Sequence, residues 1–239
     1  MSDDGSTAGA PLRALVVGNG AMGEAIAALW AGRGHEVIRR IGRDGALGSD
    51  PGDAQADVAF EFTHPQSAAA RVLELVKLGV PTVCGTTGWD PAAAREAAAR
   101  NGVPLLVAAN FSIGIAVMKR LVAEAAHALA PFSEFEPAIV ERHHRRKQDA
   151  PSGTAKMLAA LLAEARGGAA PPVVALRHGG QPGEHTIIFD GDNESIELVH
   201  RVRSRGVFAA GAVAAGEWLA AERPPGPVTF EQFLERRSP

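Results

Sequence analysis

The sequence predicts an α/β protein, with a doubly wound parallel-sheet domain followed by a second α+β domain built on a mixed sheet. Three observations carry this reading. Strand-like apolar runs alternate with helical patterns from Leu12 to Ala109, the rhythm of crossover units. That rhythm stops at Asn110, where a longer helical pattern begins. Further on, Gly191-Asp192-Asn193-Glu194 separates two strand-like runs with the chemistry of a hairpin turn. At 239 residues, 46% hydrophobic and 21% charged, the chain can bury one large core or two small ones.

Each element has its own local reason. Leu12 to Val17 is an apolar run that stops at glycine, a buried strand. Ala21 to Gly32 has helical spacing, with Ile26, Leu29 and Trp30 on one side, and Gly34 breaks it. Glu36 to Ile41 is the second strand, and the polar, Gly/Asp-rich stretch from Gly42 to Gln55 a loop. Asp57 to Phe62 is the third strand. Pro65 to Leu78 is a helix with proline in its first turn. Pro81 to Cys84 is the fourth strand, and Asp90 to Arg100 a helix with Asp90 as N-cap and Pro91 behind it. Leu105 to Ala109 is the fifth strand. The second domain reads as a helix from Ile113 to Leu129, a strand from Glu136 to Glu141 and a helix from Ser152 to Arg166. Strands at Val173 to Arg177, His185 to Asp190 and Ile196 to Val202 follow, with helices on one face of their sheet. Phe208 to Ala221 is a closing helix that returns to the first domain.

Composition narrows the function classes. A net charge of −3 offers no bulk attraction for nucleic acid or anionic membrane. No apolar run reaches the ~18 residues of a spanning helix. Met1 to Ala10 is polar and small, an expected disordered tail without the basic and apolar regions of a secretory signal. A cytoplasmic setting is the expectation. Cys84 is the sole cysteine, which excludes an internal disulfide and a multi-cysteine metal cage.

Two motifs carry chemistry. Gly18-Asn19-Gly20-Ala21-Met22-Gly23 is a G-x-G-x-x-G run between a strand and a helix, the context of a Rossmann-like dinucleotide site. Gly18 makes the tight turn, Gly20 lets the backbone approach a pyrophosphate, and Gly23 lets helix and strand pack closely. The phosphates would meet free N–H groups and the positive helix end. At the end of the second strand, where a carboxylate often receives ribose hydroxyls, stand Arg39, Arg40 and Arg43, with no acid before Asp44. Arginines there suit a 2′-phosphate, while Arg39 or Arg40 taken singly fits an ordinary solvated side chain at least as well.

The second motif spans Glu141 to Thr154. Two histidines and four Lys/Arg lie between Arg142 and Lys147, a cluster that attracts an anion in an acidic chain. Ser152-Gly153-Thr154 then opens a helix whose first N–H groups offer another anion site. A small dicarboxylate fits such a pair. One carboxylate would meet Lys147 and a histidine, and the other Gly153, Thr154 and the Thr154 hydroxyl. A histidine beside cations has a reason to be neutral near pH 7, yet a bound dicarboxylate and Glu141 would favour the protonated form, suited to general acid work. Alternation along a strand means that His143 and His144 share a ligand only if the strand ends by His143. Composition alone also allows a merely solvated basic loop. A nucleic-acid patch lacks interleaved aromatics, and the chain has no Tyr. No metal is expected, since adjacent histidines share an ion poorly and Cys84 is distant in sequence.

The stretch Glu141 to Thr154 resembles the E-x-H-H-x-x-K-x-D-A-P-S-G-T signature of the dihydrodipicolinate reductase family. Phe62-Thr63-His64-Pro65, Gly85-Thr86-Thr87-Gly88, Ala108-Ala109-Asn110-Phe111-Ser112 and Gly183-Glu184-His185-Thr186 look like family segments in family order. The similarity runs from Leu12 to Leu219. It implies reduction of 4-hydroxy-tetrahydrodipicolinate to tetrahydrodipicolinate by NADH or NADPH, in the diaminopimelate route to lysine. It also implies a homotetramer. By matching position, His143 is the implied proton donor and Lys147 the second catalytic residue. His144, Gly153 and Thr154 are implied to bind substrate. The implied cofactor site comprises Gly18, Asn19, Gly20, Ala21, Met22, Gly23, Arg43, Gly85, Thr86, Thr87, Ala108, Ala109, Asn110 and Phe111. Residues 11–111 and 208–239 form the expected dinucleotide domain, and 112–207 the substrate-binding and oligomerisation domain. The loop after the second strand is short, and the acid that many members carry there is replaced near Gly42-Arg43, so the cofactor preference is the departure to watch. No Lys-Pro dipeptide, the mark of related sugar dehydrogenases, occurs.

Overall fold

A computed structural model describes residues 10–236; the expected N-terminal tail, apart from Ala10, lies outside them. In chain order the first elements are β1 (Arg13–Val17), α1 (Ala21–Gly32), β2 (Glu36–Ile41), β3 (Val58–Glu61) and α2 (Pro65–Lys77). Then come β4 (Thr82–Cys84), α3 (Ala92–Asn101), β5 (Leu105–Val107), α4 (Ile113–Leu129), β6 (Glu136–His143) and α5 (Gly153–Arg166). The chain closes with β7 (Val173–Arg177), β8 (Gly183–Asp190), β9 (Ser195–Val202), α6 (Gly206–Glu222), β10 (Pro227–Val228) and α7 (Phe230–Glu235). The described residues divide into two compact units, with breaks at Phe111/Ser112 and Val207/Phe208.

The first unit is a six-stranded sheet in the order β10-β5-β4-β3-β1-β2, with every pair parallel. β1 and β3 are neighbours although β2 lies between them in sequence, so the order reverses at β1. Open sheets of this kind bind ligands at that switch point, outside the carboxyl ends of the strands. β1, β3 and β4 are almost wholly buried, as continuous apolar runs in a covered parallel sheet should be.

The second unit is a four-stranded mixed sheet, β7-β6-β8-β9, with β6 and β7 parallel and the other pairs antiparallel. Its core is built from Met118 and Val122 of α4, Leu158 and Leu162 of α5, and Ile139, Ile187 and Phe189 of the sheet. The register places Glu141 opposite His185, His143 opposite Arg177, and His185 opposite His200. Strand alternation therefore sets all five side chains on one face. Val174, Leu176 and Val199 belong to the opposite face and are 52%, 41% and 39% exposed.

Several expectations need correction. β6 runs on through His143 instead of stopping at Glu141, because its pairing with β7 persists to Arg177. The loop after β2 contains a 3-10 turn at Pro51–Gln55, capped by Asp50. α3 starts at Ala92, although the Asp90 carboxylate still accepts the Ala92 N–H. β10 and α7 were not anticipated, so α6 does not close the chain alone. Thr229 and Gln232 form a reciprocal capping box that starts α7. Among the described residues, no helix is long and apolar enough to cross a membrane.

Candidate active site

The turn after β1 is shaped by close contacts. The Gly18 N–H donates to the Ile41 carbonyl at 2.9 Å. Gly18 has φ +120°, and a Cβ there would lie 2.1 Å from the Phe62 carbonyl oxygen. A Cβ on Gly23 would lie 2.0 Å from the Gly18 oxygen, so α1 packs directly on the turn. Gly20 is the N-cap of α1, with no side chain bonded to the helix start and nothing within 4 Å of where a Cβ would stand. A turn of this shape leaves the first N–H groups of α1 without a side-chain cap.

Beside it opens a cleft of about 470 Å³. Met22 and residues 85–87 and 109–111 line it, and Phe62, Thr63, Pro65 and Phe208 join them. Those four were not singled out as site residues, although three belong to the Phe62-Thr63-His64-Pro65 segment. Ala108 is absent from the lining; its N–H ties β5 to the Cys84 carbonyl at 3.1 Å. Under the cleft, the fully buried Glu61 accepts from the Thr63 hydroxyl and from Cys84 Sγ. Burial first, and the adjacent carboxylate second, push the Cys84 thiol far up, so it is not a nucleophile at neutral pH.

The arginines after β2 separate. Arg39 is spoken for: it pairs with the buried Asp53 at 2.6 Å, since a carboxylate removed from water needs a countercharge. It is therefore not available to a 2′-phosphate. Arg43 is exposed. Its loop is held from below by Arg71, which donates to the carbonyls of Gly42 at 3.0 Å and Arg43 at 2.8 Å. Asn19 packs over the same loop, with its amide nitrogen 2.7 Å from where a Gly42 Cβ would stand.

In the second unit, the cationic loop leaves β6 directly after His143. Glu141 is fully buried. Its Oε1 accepts from the Ser152 N–H at 3.0 Å and from Arg177 at 2.6 Å, and its Oε2 faces His143 Nδ1 at 2.9 Å. His185 Nε2 lies 3.2 Å from the Ser152 hydroxyl, and its ring meets that of His143 edge-on at 5.2 Å. Glu141, His143 and His185 bring ligand-type atoms within 4.8 Å of one another. Arg177 and the Ser152 N–H already answer the Glu141 charge, which makes this a hydrogen-bonded cluster around one carboxylate.

The electrostatics follow from that packing. Burial would raise the Glu141 carboxyl, but hydrogen bonds from Ser152 and Arg177, with His143 alongside, bring it below the usual range. Burial lowers His143; Glu141 opposes that, and Lys147 and Arg177 add to it. Burial and the neighbouring His143 push His185 down to about 4, so it is neutral at pH 7. His144 has a different partner: its Nε2 lies 3.3 Å from an Arg205 guanidinium nitrogen.

The loop and the start of α5 share one of the chain's own carboxylates. Lys147 Nζ is 2.7 Å from the Asp149 carboxylate, and the Gly153 N–H also reaches that carboxylate. The Lys147 hydrogen bond is what chiefly lowers the Asp149 carboxyl. Ser152 caps α5 through the Ala155 N–H, leaving Gly153 and Thr154 as its first residues, with open space beside Gly153. Lys147 and Gly153 thus both reach Asp149, and Lys147 lies close enough to His143 to act on its charge. Asp149, Arg177, Ser152 and His185 were missed as site residues. Strand register would have found Arg177 and His185, because both lie across from β6 residues of the motif.

A glycine-cradled parallel sheet and a cationic, histidine-bearing second unit define a two-unit oxidoreductase of the dinucleotide-binding class. The family model for the dihydrodipicolinate reductase N-terminus matches residues 12–111, and that for its C-terminus matches residues 114–234. A 4-hydroxy-tetrahydrodipicolinate reductase of Stenotrophomonas maltophilia is 40% identical over 242 residues, covering 94% of this chain and 98% of that protein. One from Archaeoglobus fulgidus is 36% identical over 228 residues, covering 83% and 88%. The structure of a dipicolinate-bound dihydrodipicolinate reductase from Paenisporosarcina sp. TG-14 shares the fold, with a TM-score of 0.75 at 22% identity over 92% of this chain and 97% of that one. The chain belongs to the dihydrodipicolinate reductase family.

Proposed function

We propose that the protein reduces 4-hydroxy-tetrahydrodipicolinate to tetrahydrodipicolinate, the reductase step of the diaminopimelate route to lysine. The observation that carries this reading is the Asp149 carboxylate held between Lys147 and the start of α5, next to His143. Those groups grip a carboxylate of the chain, and a cyclic dicarboxylate offers the same chemistry twice. In the reaction one water leaves, and a hydride and a proton are added. Reduced nicotinamide supplies the hydride when bound. Gly18, Gly20 and Gly23 admit its pyrophosphate, and the cleft beside Phe62 and Phe111 accommodates a flat ring. Lys147, Gly153 and Thr154 orient the substrate through its carboxylates, worth several kcal/mol of barrier by positioning. His143 delivers the proton, and in its protonated form it stabilises charge developing on the conjugated ring. His144 binds substrate.

NADPH is used at least as well as NADH. Arg43 stands exposed on a loop braced by Arg71, with no carboxylate to repel a 2′-phosphate before Asp44. Residues 112–207 bind substrate and also assemble a homotetramer, for which the exposed Val174, Leu176 and Val199 supply an apolar sheet face. A coupled assay tests the reading: freshly generated substrate is offered with each reduced cofactor, and loss of nicotinamide absorbance is followed. No loss with either cofactor would refute it.

A further inference from the structure

We propose that Glu141 is a positioning residue for the proton-transfer step, holding the His143 imidazole and the start of α5 through the two oxygens of one buried carboxylate. This inference rests on the reductase reading above and deepens the part the sequence suggests for Glu141 by adding the placement of the ring and of the start of α5. Oε2 faces His143 Nδ1 at 2.9 Å, and neither atom has a hydrogen-bond partner elsewhere. Buried polar atoms are seldom left in that condition. When His143 carries its second proton, the contact becomes a charge-assisted bond that fixes the ring. The opposite edge of the ring is then the one free to act. Nε2 lies over Gly183, where a Cβ would stand 3.0 Å away, so glycine keeps that edge clear. Meanwhile Oε1 holds the Ser152 N–H, which sets where α5 begins and therefore where Gly153 and Thr154 present their backbone. Proton donor and carboxylate anchor are thus referred to the same group.

The surroundings distinguish the two imidazoles. Facing His143 are Glu141 on its own strand, Lys147 and Asp149 from the loop, Arg177 from β7 and His185 from β8, with His200 of β9 behind His185. Glu141 and Asp149 favour the charged ring, while Lys147, Arg177 and burial oppose it. His185 sits farther from the carboxylate, at 3.8 Å, and its Nε2 is engaged with Ser152. It is the neutral neighbour; burial lowers His143 as well, and Glu141, in contact with its Nδ1, is the chief group that opposes that lowering.

The test uses the full-length enzyme. Activity needs protonated His143, so it falls as pH rises through the His143 value. Glu141→Gln removes the charge that supports protonation but keeps an oxygen for Ser152. It should lower kcat/KM tenfold or more at pH 8 and move the alkaline limb to lower pH, with reduced-cofactor binding unchanged. In a His143→Gln background, Glu141→Gln should cost less than a further threefold, since its effect passes through His143. Glu141→Asp keeps the countercharge for Arg177 and draws the carboxylate back from the ring. It should move the limb the same way, and it serves if the glutamine variant does not fold. An active wild type whose limb is unmoved by either variant, or full multiplication of the two losses, would overturn the proposal and leave Glu141 a structural partner of Arg177. An inactive wild type would instead overturn the reductase reading and this role with it.

Discussion

His143 and His144 are adjacent, yet they have separate partners: one the buried Glu141, the other Arg205. Their substitutions should therefore differ. His143→Gln keeps size and a donor, and should lower kcat by about 10²–10⁴-fold, the usual worth of general acid catalysis. His144→Gln should mainly raise KM, as removal of uniform binding does. Steady-state kinetics decide, and exchanged effects would exchange the roles. Arg43→Ala should raise the KM for NADPH about tenfold, equivalent to about 1.4 kcal/mol, with little change for NADH. An equal effect on both cofactors would remove Arg43 from the 2′-phosphate. At this scale the sequence was most informative where a motif is continuous. Lys147 and Gly153 both reach Asp149 because the three are close in the chain. Arg177 and His185 were invisible because only sheet register brings them across from His143 and Glu141. Arg39 was open between phosphate and solvent, and its actual partner, Asp53, lies in a loop that local propensity does not specify.

Strands and helices were largely legible from the period of their apolar residues. Ala21–Gly32 and Ile113–Leu129 form helices with the bounds their spacing suggests. β10 was not legible, since two residues led by a proline have no strand signal and are extended only by pairing with β5. α7 did carry a signal, the Thr229-Gln232 capping box, in a stretch too short for periodicity to mark. The β6–β8–β9 face has a consequence for stability. His185 is nearly solvent-free and is lowered from 6.5 to about 4. Between those values the unfolded chain binds the proton that the folded one refuses, so stability is lost as pH falls from about 6.5 toward 4. His200, also lowered by burial, adds in the same direction. Urea midpoints measured across this range should fall, and the slope should be shallower in His185→Gln. A slope that this substitution leaves unaltered would show that His185 is protonated in the fold.

At the scale of the whole molecule, the exposed apolar face of the second sheet calls for cover. Val174→Lys together with Val199→Lys should dissociate the proposed homotetramer, as sedimentation velocity would show; an unchanged particle mass would place the contact elsewhere. The two units also differ in how the chain builds them. The second is one uninterrupted stretch, whereas the first needs the C-terminal residues that follow Val207. On the ribosome, then, the order of completion is not the order of sequence. β5 emerges early with one edge bare, and that edge stays bare until Pro227 and Val228 arrive to pair with Leu105 and Leu106. A bare parallel edge is a template for the wrong partner. Nascent chains should therefore depend on chaperones longest for the domain that was synthesised first. Ending the chain after Pro225 should leave a protein that aggregates, measured as loss from the soluble fraction, while the second unit retains its protection from hydrogen exchange.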